Sequence, residues 1–412
     1  MLCEAPSLSR RALLGASGAL FAWSCMPKFA FAAGNRDARL VVIVLRGALD
    51  GLSTVAPFGD PDYAALHGSL ALTLDGPTPA LPLDGFFILN PAMANFARLY
   101  KANQALVVHA AATPYRERSH FDGQDVLESG QAGPGLNNSG WLNRFAGVLP
   151  PGEAVSPRAC LGVGAVAPLI ARGPAPVLGW APPILPRAAE DTAMRVLDLY
   201  AARDEALAAA LRQGLETDKI AAKVASEPGK QKPGGNAGPD NPQGMAGIAR
   251  GAARIMAAED GPRIAALAFD GWDTHAREGG ATGRLANLLG GLDASIAAFE
   301  QELGSGWKDA VILIVTEFGR TARINGTEGT DHGTGTIALL AGGAVKGGRV
   351  IADWPGLKQN ALYQGRDLKP TIDLRAVAKG VLRELYGVSP AELSSRVFPG
   401  SEGVKPMAGL VA

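Results

Sequence analysis

Cysteine is nearly missing from this 412-residue chain, which has three: Cys3, Cys25 and Cys160. Cys3 and Cys25 fall in an N-terminal stretch that reads as an export signal, so its removal leaves Cys160 alone. One cysteine makes no internal disulfide and no thiolate cluster. Any metal must therefore be held by histidine and carboxylate, which favours zinc, manganese, magnesium, calcium or iron. Between Ala159 and Leu161, Cys160 reads as a small buried apolar residue. An excess of either charge is missing too: 39 basic residues meet 39 acidic ones, which excludes a nucleic-acid footprint. The longest N-terminal apolar stretch, Ala12 to Trp23, is too short to span a bilayer comfortably, and no internal repeat is visible. What is present is glycine (53), proline (29) and 47% hydrophobic residues. That composition suits a globular, loop-rich enzyme better than a coiled coil or a disordered chain. The length allows one large α/β domain or a domain with an insertion.

Residues 1–32 carry a twin-arginine motif, Ser9-Arg10-Arg11-Ala12-Leu13-Leu14, an apolar stretch, and Ala30-Phe31-Ala32 as a small-x-small cleavage site. The alternative is an N-terminal anchor or buried helix. Cleavage predicts a periplasmic or secreted protein with no stable membrane span, whose first partner is the twin-arginine export machinery. That route carries folded proteins, often with a cofactor loaded, and so suits a metalloenzyme.

Continuous apolar runs without alternation predict strands buried on both faces at 40–45, 105–110, 264–269, 311–316 and 336–340. Helices are expected from Asn90-Pro91 to Lys101, from Ser119 through Leu127, over 187–224, and at 245–258, 283–303 and 373–386. This is an α/β pattern with a mostly parallel sheet. Residues 33–130 and 251–412 read as its two parts. Between them, 131–250 reads as an inserted helical and loop cap whose stretch 226–244 is a flexible linker by composition.

Three strands deliver acids at their carboxyl ends, where open α/β sheets bind ligands. After 40–45 comes Gly47-Ala48-Leu49-Asp50-Gly51, in which Asp50 is either turn chemistry or a ligand. After 264–269 comes Asp270-Gly271-Trp272-Asp273-Thr274-His275. Two carboxylates and an imidazole there match a mixed O/N metal site, the alternative being a polar loop that caps the next helix. On an extended segment Asp273 and His275 share a face. After 311–316 stands Glu317, either a ligand or the ion-pair partner of Arg320, and then Asp331-His332-Gly333 on a glycine-rich loop. His67 and His109 lack such acidic neighbours and read as ordinary surface and core residues. In Tyr115-Arg116-Glu117-Arg118-Ser119-His120-Phe121-Asp122, Ser119 at a helix start is either a nucleophile or a plain N-cap. Arg116 and Arg118 can bind anion oxygens, and His120 can orient a group or pass a proton.

In order, these motifs resemble the alkaline phosphatase-like superfamily of phosphatases, sulfatases and metal-dependent mutases, over roughly 39–130 and 250–390. More closely, the chain resembles an exported bacterial family of unknown function within it. The marks are the twin-arginine signal, Tyr115 to Phe121, Gly140-Trp141-Leu142-Asn143-Arg144, Asp270 to His275, and Thr316-Glu317-Phe318-Gly319-Arg320-Thr321. The resemblance implies a three-layer sandwich. It makes Asp50, Asp270, His275, Glu317 and His332 ligands of one or two divalent ions (zinc, manganese, magnesium or calcium), with Asp273 and Asp331 nearby. Ser119 takes the nucleophile's place, and Arg116 or Arg320 would clamp the anion. Phe318 stands where the phosphatases usually have histidine, which leaves a second metal only oxygen ligands. The activity implied is hydrolysis of a small anionic phosphate or sulfate ester. The alternative is a non-catalytic exported binding or assembly protein that keeps the fold.

Overall fold

Each predicted apolar run is a strand of one sheet in the computed structural model, which describes residues 36–135, 137–149, 160–164, 166–181 and 241–412, with scattered positions between 196 and 215. The strands are β1 (Arg39–Leu45), β2 (Val55–Ala56), β3 (Leu81–Pro82), β4 (Ile88–Leu89), β5 (Ala105–Ala112), β6 (Cys160–Val163), β7 (Val177–Trp180), β8 (Ile264–Phe269), β9 (Ala310–Thr316), β10 (Thr336–Ala341), β11 (Arg349–Ile351) and β12 (Ile372–Asp373). The main sheet runs β11-β5-β10-β9-β1-β8-β6-β7, with β12 also on β5, while β2, β4 and β3 form a small separate sheet. From β9 through β1, β8 and β6 to β7 all pairings are parallel, and β10 alone runs against its neighbours. The sheet is thus mostly parallel.

The runs lack alternation because both faces are covered. Val41, Ile43 and Leu45 of β1 face one core, while Leu40, Val42 and Val44 face another. The first core is closed by α3 (Ala94–Lys101), α6 (Pro242–Ala257) and α7 (Arg284–Leu303), and the second by α5 (Trp141–Ala146) and α8 (Leu374–Tyr386). Further helices among the described residues include α1 (Gly51–Thr54), α2 (Tyr63–His67) and α4 (His120–Ser129). Every β1 side chain is buried. At about 2 kcal/mol for each fully buried large aliphatic side chain, this central strand anchors both layers.

The helix expected from Asn90-Pro91 begins only at Ala94. Asn90 is fully buried and uses its amide differently: it donates to the carbonyls of Ser53 and Gly280 and accepts from the Ala92 N–H. Asn241 does cap α6, accepting from the Gln243 and Gly244 amides with Pro242 in the first turn, so the final residues of the expected linker are helical. The stretch 131–250, expected as an inserted cap, contains β6, which lies alongside β8, and β7, which lies alongside β6; together they widen the main sheet. They were hidden because each is only four residues long in glycine-rich sequence. The signal at 1–32, the linker residues 226–240 and most of the helix expected at 187–224 lie outside the described residues. Among the described residues, no helix is long and apolar enough to cross a membrane.

Candidate metal centre

Loops at the carboxyl ends of β1, β5, β8 and β9 meet at one rim of the sheet. Gly47 permits a close approach. Its φ is +119°, and a Cβ there would lie 2.4 Å from the Asp273 backbone nitrogen. The turn after β1 therefore lies against the segment after β8, and the Trp272 N–H donates to the Arg46 carbonyl. Gly329 does the same for the late loop, since a Cβ there would stand 2.4 Å from the His275 carbonyl carbon.

Three imidazoles and one carboxylate converge at this rim. His332 Nε2 lies 2.9 Å from His120 Nε2 and 3.0 Å from His275 Nε2. Asp273 Oδ1 is 3.0 Å from His275 Nε2 and 3.3 Å from His332 Nε2, while Asp273 Oδ2 is 3.5 Å from His120 Nε2. The opposite nitrogen of each ring is fixed by an acceptor. His120 Nδ1 donates to Glu317 Oε1 (2.8 Å), His275 Nδ1 to Asp331 Oδ1 (3.2 Å), and His332 Nδ1 to the Arg118 carbonyl (3.0 Å). With the proton committed to Nδ1, each Nε2 presents a lone pair toward the others. Lone pairs facing each other at hydrogen-bond distance need a positive charge between them. A tetrahedral ion with bonds of about 2.1 Å spaces its ligands roughly 3.4 Å apart, and the four groups fit that span. His120, Asp273 and His332 thus form a group that can hold a metal ion, with His275 beside them.

The support behind His120 is buried. Glu317 is fully buried, and its Oε1 also accepts from the Gly47 N–H (2.8 Å) and Gln124 Nε2 (3.2 Å). Arg118 holds a positive φ of 62°, a conformation that costs a non-glycine residue energy. It aims the carbonyl that His332 uses. Phe318 lies flat on His120, ring centroids 5.0 Å apart, and 5.4 Å from the His332 ring. Phenylalanine therefore forms an apolar wall for the imidazoles at the position where a ligand histidine was absent.

The groups of the cluster are shifted in different directions. The hydrogen bond and charge of Glu317 raise the His120 pKa against burial. Burial and the neighbouring His120 lower that of His332. Burial pushes Asp273 up, but the hydrogen bond and charge of Arg320 outweigh it and hold the carboxyl below its usual range. Burial likewise raises Asp331, and hydrogen bonds from Asn325 and His275 more than offset it.

Several residues read as site groups stand elsewhere. Glu317 and Asp331 are one hydrogen bond behind the cluster, gripping the Nδ1 atoms of its histidines. His120, read as a proton donor or orienting group, is in the cluster itself. Asp270 is half-buried and makes none of the cluster's hydrogen bonds. Asp50 caps α1, its Oδ1 accepting from the Leu52 and Ser53 amides. Its Oδ2 is 3.2 Å from Nε2 of His67, which is fully buried where a surface residue was expected. Ser119 is the N-cap residue of α4, yet its side chain makes no capping bond to the helix.

The arginines read as anion clamps are committed inward. Arg116 donates to the carbonyls of Thr113 and Tyr115, and Arg118 to Asp367 and Gln364. Arg320 is buried behind Asp273, donating to its Oδ1 at 2.6 Å and to the hydroxyl and carbonyl of Thr330.

Sequence reading missed the buried acid Glu278, three positions beyond His275. Glu278 Oε2 accepts from Thr330 Oγ1 at 2.6 Å. Its Oε1 and Asp50 Oδ2 are both buried without another hydrogen-bond donor. Burial and the adjacent Asp50 charge raise the Glu278 pKa well above the ordinary carboxyl range.

A family model described as a protein of unknown function (DUF1501) matches residues 101–395 of this chain. No curated protein matches it. Among solved structures, the chain is similar to Ps i-CgsB in complex with k-i-k-neocarrahexaose, at 10% identity over 76% of this chain and 68% of that one, TM-score 0.39. It is similar to the phosphonate monoester hydrolase of Agrobacterium radiobacter, at 11% identity over 84% and 73%, TM-score 0.34. It is also similar to the C-terminal periplasmic domain of EcEptC from Escherichia coli in complex with Zn, at 9% identity over 76% and 75%, TM-score 0.34. Likenesses this distant carry no argument about the site.

Proposed function

The chain belongs to the DUF1501 family of proteins of unknown function, and from that starting point we propose a periplasmic, twin-arginine-exported, metal-dependent hydrolase of phosphate or sulfate esters. The observation that supports the metal is the anchoring of three histidines through Nδ1, which leaves three Nε2 lone pairs aimed at Asp273. Histidines that ligate metal commonly have their second nitrogen held in this way. An imidazole-rich set favours zinc or another transition ion over calcium or magnesium.

A divalent ion held by His120, Asp273, His275 and His332 would supply Lewis-acid polarisation of the ester oxygens. The side chains of Asp273 and His275 are 41% and 44% exposed, which suits a centre open to substrate rather than a closed structural one. Ser119, with its hydroxyl unused in capping and next to His120 in the chain, is the proposed nucleophile. The N-terminus of α4 favours negative charge developing there. Glu317 keeps His120 oriented and basic, and Phe318 excludes water from the inner side.

A second reading, a non-catalytic exported binding or assembly protein, is favoured by the inward commitment of Arg116, Arg118 and Arg320, which leaves these guanidiniums engaged away from a transferred group. One experiment separates the two. The zinc- or manganese-loaded protein is assayed on chromogenic aryl phosphate and aryl sulfate. Hydrolysis lost in both Ser119→Ala and His332→Ala supports the hydrolase. Hydrolysis lost in His332→Ala alone removes the serine from the mechanism. No turnover by a protein that still retains metal supports the binding protein.

A further inference from the structure

We propose that Phe121 is a specificity platform: its ring receives an apolar, ring-sized part of the substrate's alcohol group. The inference rests on the hydrolase reading and names the kind of ester that site would favour. Phe121 is 90% exposed, the most exposed large apolar side chain among the described residues. Leaving a phenylalanine in water forgoes about 2 kcal/mol of burial. Its neighbours in the segment have structural work. The Tyr115 hydroxyl bonds Asp122 and receives the Ser119 N–H, Arg116 and Arg118 hold the loop, and His120 joins the metal cluster. The Phe121 ring has none.

Its place gives the exposure a use. Phe121 follows the proposed nucleophile Ser119 and the cluster histidine His120 directly, in the first turn of α4. With adjacent Cα atoms about 3.8 Å apart, the ring stands within roughly 10 Å of the His120 imidazole. A group leaving from an ester bound at the cluster is then within contact range.

The surroundings select a small ligand over a protein. Glu117 and Asp122, close to Phe121 in the chain, are exposed, and the apolar residues Val126 and Leu127 of the same helix are buried. The apolar spot is one ring wide, far below the roughly 800 Å² per partner of a stable protein interface. An aryl group can stack offset on such a ring, a contact worth about 1 kcal/mol beyond burial.

The test measures binding, independent of turnover. Zinc-loaded full-length protein is titrated calorimetrically with phenylphosphonate and with methylphosphonate. The wild type is expected to prefer the phenyl compound by about tenfold. Phe121→Ala should abolish that preference while leaving methylphosphonate affinity and zinc content unchanged, and Phe121→Trp should retain it. An unchanged preference in Phe121→Ala, or no preference in the wild type, overturns the proposal. Failure of both phosphonates to bind overturns it together with the hydrolase reading. Intact preference without ester turnover refutes the hydrolase reading and, with it, the assignment of the ring to a leaving alcohol.

Discussion

Glu317 and His120 are joined by a 2.8 Å hydrogen bond, so the acid emerging from β9 grips a histidine instead of a metal. The bond fixes the ring's tautomer and strengthens its outward nitrogen as a donor. Glu317→Gln keeps the shape and loses the charge. Metal affinity is expected to fall 10- to 100-fold, read by competition with a chromophoric chelator, with unchanged secondary structure. Unchanged affinity would remove Glu317 from any role in binding.

Arg320 is predicted to matter for stability more than for substrate. Its side chain is fully buried, while its partner Asp273 is 41% exposed. Solvent at Asp273 reduces the value of the pair, but Thr330 also loses its donors when the guanidinium is removed. Arg320→Ala should cost about 2 to 3 kcal/mol in urea unfolding, toward the low end for breaking a buried pair. A loss of activity with unchanged stability would instead restore the anion-clamp role.

The Asp50, His67 and Glu278 group predicts a pH window. Burial opposes ionisation of Asp50, but the His67 charge and hydrogen bonds win and depress its pKa to about 2. Its contribution is present above the ordinary carboxyl pKa of about 4 and is lost as pH falls through 2. Burial lowers His67, but Asp50 outweighs it and raises the pKa above 6.5. That contribution is complete below 6.5 and fades as pH rises through the raised value. Glu278, also raised, adds a loss that begins as pH climbs above its unfolded value of about 4.5. Stability should therefore peak in mildly acidic solution. Glu278→Gln removes the titrating proton, so its unfolding midpoint should decline less between pH 5 and 9 than the wild type's. Parallel profiles would show that Glu278 is not the group responsible.

Legibility in the sequence followed how local each signal is. Unalternating runs such as 40–45 and 311–316 revealed strands buried on both faces, because burial of both faces is written in consecutive residues. The spacing of Asp273 and His275 likewise showed a shared face. What spacing could not show is which acid touches the central point and which stands behind it. Glu317 turns inward to Gly47 and His120, and Asp50 is drawn to its own helix amides and to His67. The partners of Glu317 lie 270 and 197 positions away, and of Asp50's partners only the helix amides are local. His67 looked like a surface residue because its partner Asp50 is distant in sequence. β6 and β7 escaped notice because four glycine-interrupted residues carry too little periodicity to distinguish a strand from a loop.

The most direct measurement is metal content and affinity by equilibrium dialysis with elemental analysis, on the full chain and on His332→Ala and Asp273→Ala. Convergence of the three histidines and Asp273 predicts a tightly held divalent transition ion in the wild type, with affinity falling at least 100-fold in either variant. Wild-type protein that retains no more metal than Asp273→Ala, with both variants folded, would contradict the metal centre and the function proposed from it.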